Sequence, residues 1–416
     1  MTLSDRFRAL PPSPTLAGAG RRAAARGRVL AASVLLATLA SCGPSTAGGP
    51  PASAPTNAPA TVVVPATTIP ADGRTCLTGA LTYDHHDAEA GTKGAERLTT
   101  AVARGGTWEL WGRLSTDGAD QLLASGVTDD GGWFRACAGR SGQLTEAHLT
   151  FRSSGGDLWR VISPTGGTEY AFDSARLRDV AGNRDLGTVK VPADRQDAWK
   201  IVDTVGDLYR KVTAAEGPGS RCWTRHQTTG GCDELTFTWA PDATVGGFWE
   251  PDTRNVVLAG EHTASRHTIL HEASHWLQFE LYDHWFPDAP GCENHTFDVA
   301  TTPGCAWTEA FADAAAAYVL GDYRYVYPDG QDFDLHNDGA TAWDRGDAVQ
   351  GRVGGSLLDL WAADGPDGGT WDRTVRLMGE QRSADFRQYF TEGRPRAGLS
   401  TTDAAGRIIA DHTIAY

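Results

Sequence analysis

The chain has 416 residues, 40% of them hydrophobic and 9% aromatic with 14 Trp, which excludes a disordered or collagen-like polymer and predicts two or three domains. Its formal charge is −15, from 37 Lys+Arg against 52 Asp+Glu, which excludes nucleic acid as a partner because phosphate binding needs a cationic face. Seven Cys is an odd number that the rest of the sequence must explain.

Residues 1–28 carry six Arg against one Asp, and Val29 to Ala40 is a mostly apolar run. That run is too short for a bilayer core, which takes ~20 residues, but it fits the hydrophobic region of a signal peptide. It ends in Leu39-Ala40-Ser41-Cys42, which resembles a bacterial lipobox. The resemblance implies a signal peptide over 1–41, a lipid on Cys42 and an extracytoplasmic, membrane-anchored protein. An ordinary secretory signal that contains a Cys is the alternative. Cys76, Cys137, Cys222, Cys232, Cys292 and Cys305 then remain, an even set that reads as three disulfides in an exported chain. Fifteen connectivities are open. Pairing nearest neighbours (76–137, 222–232 and 292–305) keeps each bridge inside one unit and is the expected one. A Cys-based zinc site needs Cys-x-x-Cys pairs, and the sequence has none.

Residues 42–72 are dominated by Pro, Ala and Thr, with no Trp, Phe or Tyr, and read as a disordered stalk. Residues 73–192 change to short apolar or alternating runs such as Trp108-Glu109-Leu110-Trp111, His148 to Phe151 and Leu158 to Ile162. Asp129-Asp130-Gly131-Gly132 is a hairpin-type turn signal. The pattern predicts an N-terminal antiparallel β-sandwich. Through Glu109-Leu110-Trp111, Thr128 to Gly131 and Asp185 to Thr188 the segment resembles transthyretin-like or CnaB-like sandwiches, which implies a spacer or adhesion module. Asp84-His85-His86-Asp87 reads as a surface turn, since adjacent His on a strand face opposite sides.

Residues 193–416 are expected to form an α+β, mainly helical domain. Trp199, Val202, Val205, Leu208, Tyr209 and Val212 recur at helical spacing and predict a helix over 195–214, stopped by Gly217-Pro218-Gly219. A Cys222–Cys232 loop and two strands, Leu235–Trp239 and Asn255–Leu258, should follow. His271-Glu272-Ala273-Ser274-His275 is the strongest signal. In H-E-x-x-H two His one helical turn apart can share a Zn2+ ion, with the Glu as general base. His267 continues the spacing but lies ~12 Å from position 275 along a helix axis, too far to share the ion. Gln278 and Leu281 stand where a metzincin needs Gly and His, which excludes that class.

A third ligand must come from elsewhere. Glu309 and Asp313 share one face of an Ala-rich helix over about 306–320. Glu309 can complete a His2Glu site, and Asp313 can hold the outer N–H of a ligand His. Glu293 is the rival third ligand.

Together, H-E-x-x-H at 271–275 and E-x-x-x-D at 309–313 resemble the gluzincin metallopeptidases, over roughly residues 255–360. The resemblance implies a zincin-like fold and a peptide or protein substrate. It also implies hydrolysis in which Glu272 takes a proton from a water acidified by zinc. One departure is the long separation of His275 from Glu309, which a disulfide-closed insertion at Cys292 and Cys305 would explain. Asp347 to Arg352 resembles the opening of the family's third active-site helix. Gln350 or Arg352 is therefore a candidate oxyanion donor, with Tyr318 and Tyr325 as alternatives. The strand Asn255–Leu258 is expected to take a substrate backbone by strand addition, and Trp249, Trp285 and Phe286 are candidate subsite walls. The acidic run 329–334 departs from an EF-hand at His336 and Asn337 and reads as a solvated loop. The chain is expected to work as a monomer. The competing function is a catalytically inactive binding or adhesion lipoprotein on the same scaffold.

Overall fold

The computed structural model describes residues 73–416, apart from 218, 228–230 and 338–340. The expected signal peptide, the Cys42 lipidation site and the 42–72 stalk lie outside the described residues.

The sheet-rich first part contains β1 (Arg74–His86), β2 (Leu98–Val102), β3 (Thr107–Arg113), β4 (Gln121–Val127), β5 (Trp133–Ser141), β6 (Leu144–Arg152), β7 (Trp159–Ile162), β8 (Ala171–Asp173), β9 (Leu177–Val180) and β10 (Asn183–Lys190). Burial alternates strictly along β3, with Trp108 and Leu110 inside and Glu109 and Trp111 only partly covered, as one packed face of a sheet requires. One sheet is built on β1, antiparallel to β2 and β5 and parallel to β10. The other runs β4-β3-β6-β8, with β9 also on β6. Phe134 of β5 meets Phe151 of β6 edge to face at 5.3 Å and ties the two sheets into one core. Cys76 and Cys137 stand opposite each other in the β1–β5 register and are disulfide-bonded.

Two features differ from a self-contained antiparallel sandwich. The β1–β10 pair is parallel. A parallel pair needs a long crossover, and the strands of the second sheet supply it. Trp159–Ile162, expected in the sandwich, leaves it: β7 pairs parallel with β11 (Leu235–Trp239) in a sheet ordered β12-β13-β11-β7, where β12 is Phe248–Glu250 and β13 is Asn255–Leu258. The Trp159 indole explains the move. It donates to the Val202 carbonyl at 3.1 Å and packs edge-on against Trp223, which in turn meets Trp276. The apolar residues of the two parts therefore form one continuous core.

Four longer helices follow: α1 (Gln196–Glu216), α2 (Arg266–Leu281), α3 (Pro303–Leu320) and α4 (Gln350–Trp361). None of the described helices is long and apolar enough to cross a membrane. The buried stripe of α1 (Trp199, Val202, Val205, Leu208 and Val212) is the one its spacing predicts, and Trp199 meets Phe172 of β8 at 5.4 Å.

Lys200 is also buried on α1, 1% exposed, and donates to the carbonyls of His86 (2.5 Å) and Ala264 (2.7 Å). It fastens the end of β1 to the segment before α2. Residues 84–86 are thus the last rungs of β1 rather than a surface turn, because a buried ammonium needs their carbonyl. Burial pulls the Lys200 pKa down to about 8, against the opposing pull of Glu89 and Asp197. The folded state then binds fewer protons than the unfolded state between about pH 8 and the free-lysine value near ~10.4, so this group's contribution to stability rises with pH in that window. The stability of the wild type relative to Lys200→Gln, from urea unfolding, should rise by up to about 1.4 kcal/mol per pH unit between pH 8 and 10. A flat difference would contradict the buried charge.

Candidate metal centre

The two helices that carry the chemistry are fixed at their N-termini by side chains. Ser265 caps α2 by accepting from the Thr268 amide at 3.0 Å, and Thr302 caps α3 from the Cys305 amide at 3.3 Å, with Pro303 in the first turn. Caps of this kind contribute about 1 kcal/mol each. The α2 N-terminus has a second partner. Glu89, from the β1–β2 connection, accepts from the amides of Arg266 (2.6 Å) and His267 (3.1 Å), placing a carboxylate at the positive end of the helix. His267 spans Glu89 and the Asp322 carbonyl and has a structural role. At its other end α3 stops at Gly321, in the left-handed region at φ 65°. Its Ala residues 306, 310, 312 and 314–317 are all fully buried, so neighbouring helices can approach closely.

On this frame His271 Nε2, His275 Nε2 and Glu309 Oε2 converge. The His271–His275 separation is 3.1 Å, His271–Glu309 is 3.2 Å and His275–Glu309 is 3.4 Å. Tetrahedral zinc with bonds of ~2.0–2.1 Å has ligand–ligand edges of about 3.4 Å, so the triangle has the size of one face of such a site. Glu309 Oε2 is buried and has no hydrogen-bond partner. A buried carboxylate oxygen without a hydrogen bond, within 3.4 Å of the Nε2 atoms of His271 and His275, fits a cation held between them. All three residues are buried. Burial draws His271 toward its neutral form, but Asp313 and then Glu309 outweigh it and raise its pKa above the usual histidine range. Burial alone would raise the pKa of Glu309, yet His295 and His275 hold it well below the usual carboxylate range.

Asp313 Oδ1 lies 2.7 Å from His271 Nδ1, and Gln350 Nε2 of α4 donates to Asp313 Oδ2 at 2.6 Å. The chain Gln350–Asp313–His271 fixes the ring so that Nε2 faces the centre. This corrects the expected role of Gln350 as an oxyanion donor, because its amide is committed to Asp313. Arg352 is corrected as well. Its guanidinium donates to Asn337 Oδ1 (2.9 Å) and the Asp344 carbonyl and lies over the Trp343 ring, so it ties α4 to the preceding loop. Of the two tyrosines, Tyr318 stacks on Trp371 in the core, whereas Tyr325 sits with its ring 6.0 Å from that of His271. Burial, and then the charges of Asp313 and Glu272, keep the Tyr325 hydroxyl protonated well above its usual range.

Glu293 is exposed on its turn and takes no part. Two residues on, His295 Nε2 stands 3.3 Å from Glu309 Oε2, with Nδ1 2.8 Å from the Cys292 carbonyl. Sequence reading missed this histidine. The signal was a His inside the loop that Cys292 and Cys305 close one turn before Glu309. The structure pairs Cys292 with Cys305 and Cys222 with Cys232. The strand expected to receive substrate is covered, since β13 has β11 on one side and β12 on the other. The edge strand beside it is β12. Trp249 of β12 packs on Phe279 and Phe286, and Phe286 reaches the His275 ring at 6.1 Å. Trp285 packs against Tyr282 and the Arg382 guanidinium instead.

Residues 216–413 match the mycolysin C-terminal domain and residues 76–198 match the mycolysin middle domain. Both matches are to domains of mycolysin. These matches suggest a protein of metallopeptidase type. His271, Glu272, His275, Glu309 and Asp313 all fall in the mycolysin C-terminal match, whereas Glu89, which caps α2, falls in the middle-domain match. No curated protein matches the chain significantly. A 9R-lipoxygenase from Cyanothece PCC8801 aligns with 54% of this chain at 15% identity and a TM-score of 0.18, and the chain covers 29% of that structure.

If Asp313 orients His271, removing it should loosen the metal without unfolding the helix pair. Asp313→Ala is expected to weaken zinc affinity by about 10–100-fold, with Gln350→Ala in the same direction. Competition with a zinc-binding dye measures both. An unchanged affinity would show that the relay has no hold on the ligand.

Proposed function

We propose that the chain hydrolyses peptide bonds in peptides or proteins, with His271, His275 and Glu309 holding one zinc ion. The convergence of two Nε2 atoms and one unpartnered Oε2 within 3.4 Å, in a mycolysin C-terminal domain, carries this reading. When bound, zinc supplies Lewis acidity that lowers the pKa of a coordinated water toward ~7 and polarises the scissile carbonyl. The protein side chains do the rest. Glu272, next to His271 on α2, takes the water proton and returns it to the leaving amine. Asp313 and Gln350 hold the His271 tautomer. Tyr325, whose ring lies 6.0 Å from that of His271, is proposed as the donor to charge that develops on the carbonyl oxygen. The free edge of β12 offers a place for an extended substrate backbone. The expected zincin-like fold and the transthyretin/CnaB-like character of the first part belong to this proposal.

The site of action is proposed to be outside the cytoplasm, on a lipid anchor at Cys42. Three disulfides support an oxidising compartment. Protein loaded with zinc is expected to cleave an unfolded protein such as casein, and cleavage should stop on chelation and return on adding zinc. Zinc uptake with no cleavage of any peptide library would favour the inactive binding protein instead.

A further inference from the structure

At the C-terminal end of α2 a second convergence of ligand-type atoms has no part in the site above. His284 Nε2 lies 3.1 Å from Asp233 Oδ2 and 3.3 Å from Glu280 Oε2, and Gln227 Nε2 donates to the same Glu280 oxygen at 2.8 Å. The donor atoms of Asp233, Glu280 and His284 all lie within 4.8 Å of one another. The two separations from His284 are close to the ~3.4 Å edges of a tetrahedral site. Glu280 is five residues past His275, about 140° round the helix at 3.6 residues per turn, so the two sets of donors are separate.

The burial of Glu280 is the independent observation. The residue is 1% exposed, its Oε1 has no hydrogen-bond partner, and among the described residues neither Glu280 nor Asp233 pairs with Arg or Lys. A buried carboxylate beside a second carboxylate needs positive charge or a proton. The side chains of His284 and Asp233 remain about 40% exposed, so an ion can enter from solvent.

We propose that Asp233, Glu280 and His284 form a second zinc site, which staples the Cys222–Cys232 loop to the end of the helix carrying His271 and His275. Gln227 and Asp233 come from or directly follow that loop, and Phe279 stacks on the His284 ring and orients it. An imidazole with two carboxylates selects zinc over calcium or magnesium, which prefer all-oxygen shells.

Zinc content of the full chain, equilibrated in a zinc buffer and measured by atomic emission, tests this. Wild type should hold two ions per chain, His284→Ala one, His275→Ala one and the double variant none. His284 is exposed, so its replacement threatens folding least, and circular dichroism checks that. Zinc should also raise the Tm of His275→Ala but not that of the double variant. One ion in wild type that is kept in His284→Ala and lost in His275→Ala would overturn the proposal. One ion lost in His284→Ala and kept in His275→Ala would uphold it and overturn the His271–His275–Glu309 reading instead.

Discussion

Replacing Glu272 with Gln is expected to lower kcat by about 10²–10⁴-fold, the range general-base removal produces, while zinc content and Tm stay at wild-type values. Glu272 follows His271 on a helix buried on every side, is itself 6% exposed, and has no ion-pair partner among the described residues. Its charge acts on His262, His271 and Tyr325. A carboxylate with no structural partner is free to accept a proton, and the isosteric amide keeps its packing but not its basicity. Assay of the zinc-loaded variant on a quenched peptide checks the effect. A variant that cleaves at the wild-type rate would remove Glu272 from the mechanism.

The second large effect is expected from the ligands. His275→Ala should abolish hydrolysis and lower zinc affinity at this centre by more than the 10–100-fold that loss of an outer partner such as Asp313 costs. Its imidazole supplies one of three donors, and its removal leaves Glu309 Oε2 with one fewer cationic or metal-mediated contact in a site where that oxygen already has no hydrogen bond. Glu309→Ala should behave alike. The folded state should persist, because α2 is also held by its caps and by Trp276 against Trp223. Full activity in either variant would mean that the metal sits elsewhere.

How much of this was legible depended on the range of the interaction. The helices α1, α2 and α3 could be read because apolar spacing, Gly217 and the His and Glu–Asp pairs one turn apart are local properties. The link between H-E-x-x-H and Glu309 rested on a second local motif, and the short Ala side chains of α3 make the approach possible. What could not be read is tertiary. His295 reaches Glu309 only because a disulfide folds its loop back. Gln350 serves Asp313 rather than a substrate oxyanion because of how α4 lies on α3, where Gly354 faces the Ala310 backbone at 3.6 Å from its would-be Cβ. Arg352 turns to Asn337 for the same reason. Strand β7 leaves the sandwich because Trp159 finds its partners on α1 and at Trp223, and nothing in Leu158 to Ile162 alone distinguishes the two sheets. Glu89 caps α2 from 177 residues away.

The measurement that bears most directly on the account is a zinc anomalous-difference map from crystals of the Glu272→Gln chain. A peak is expected at ~2.0–2.2 Å from His271 Nε2, His275 Nε2 and Glu309 Oε2 together. A map with no density among those three atoms, in protein shown to carry zinc, would contradict it.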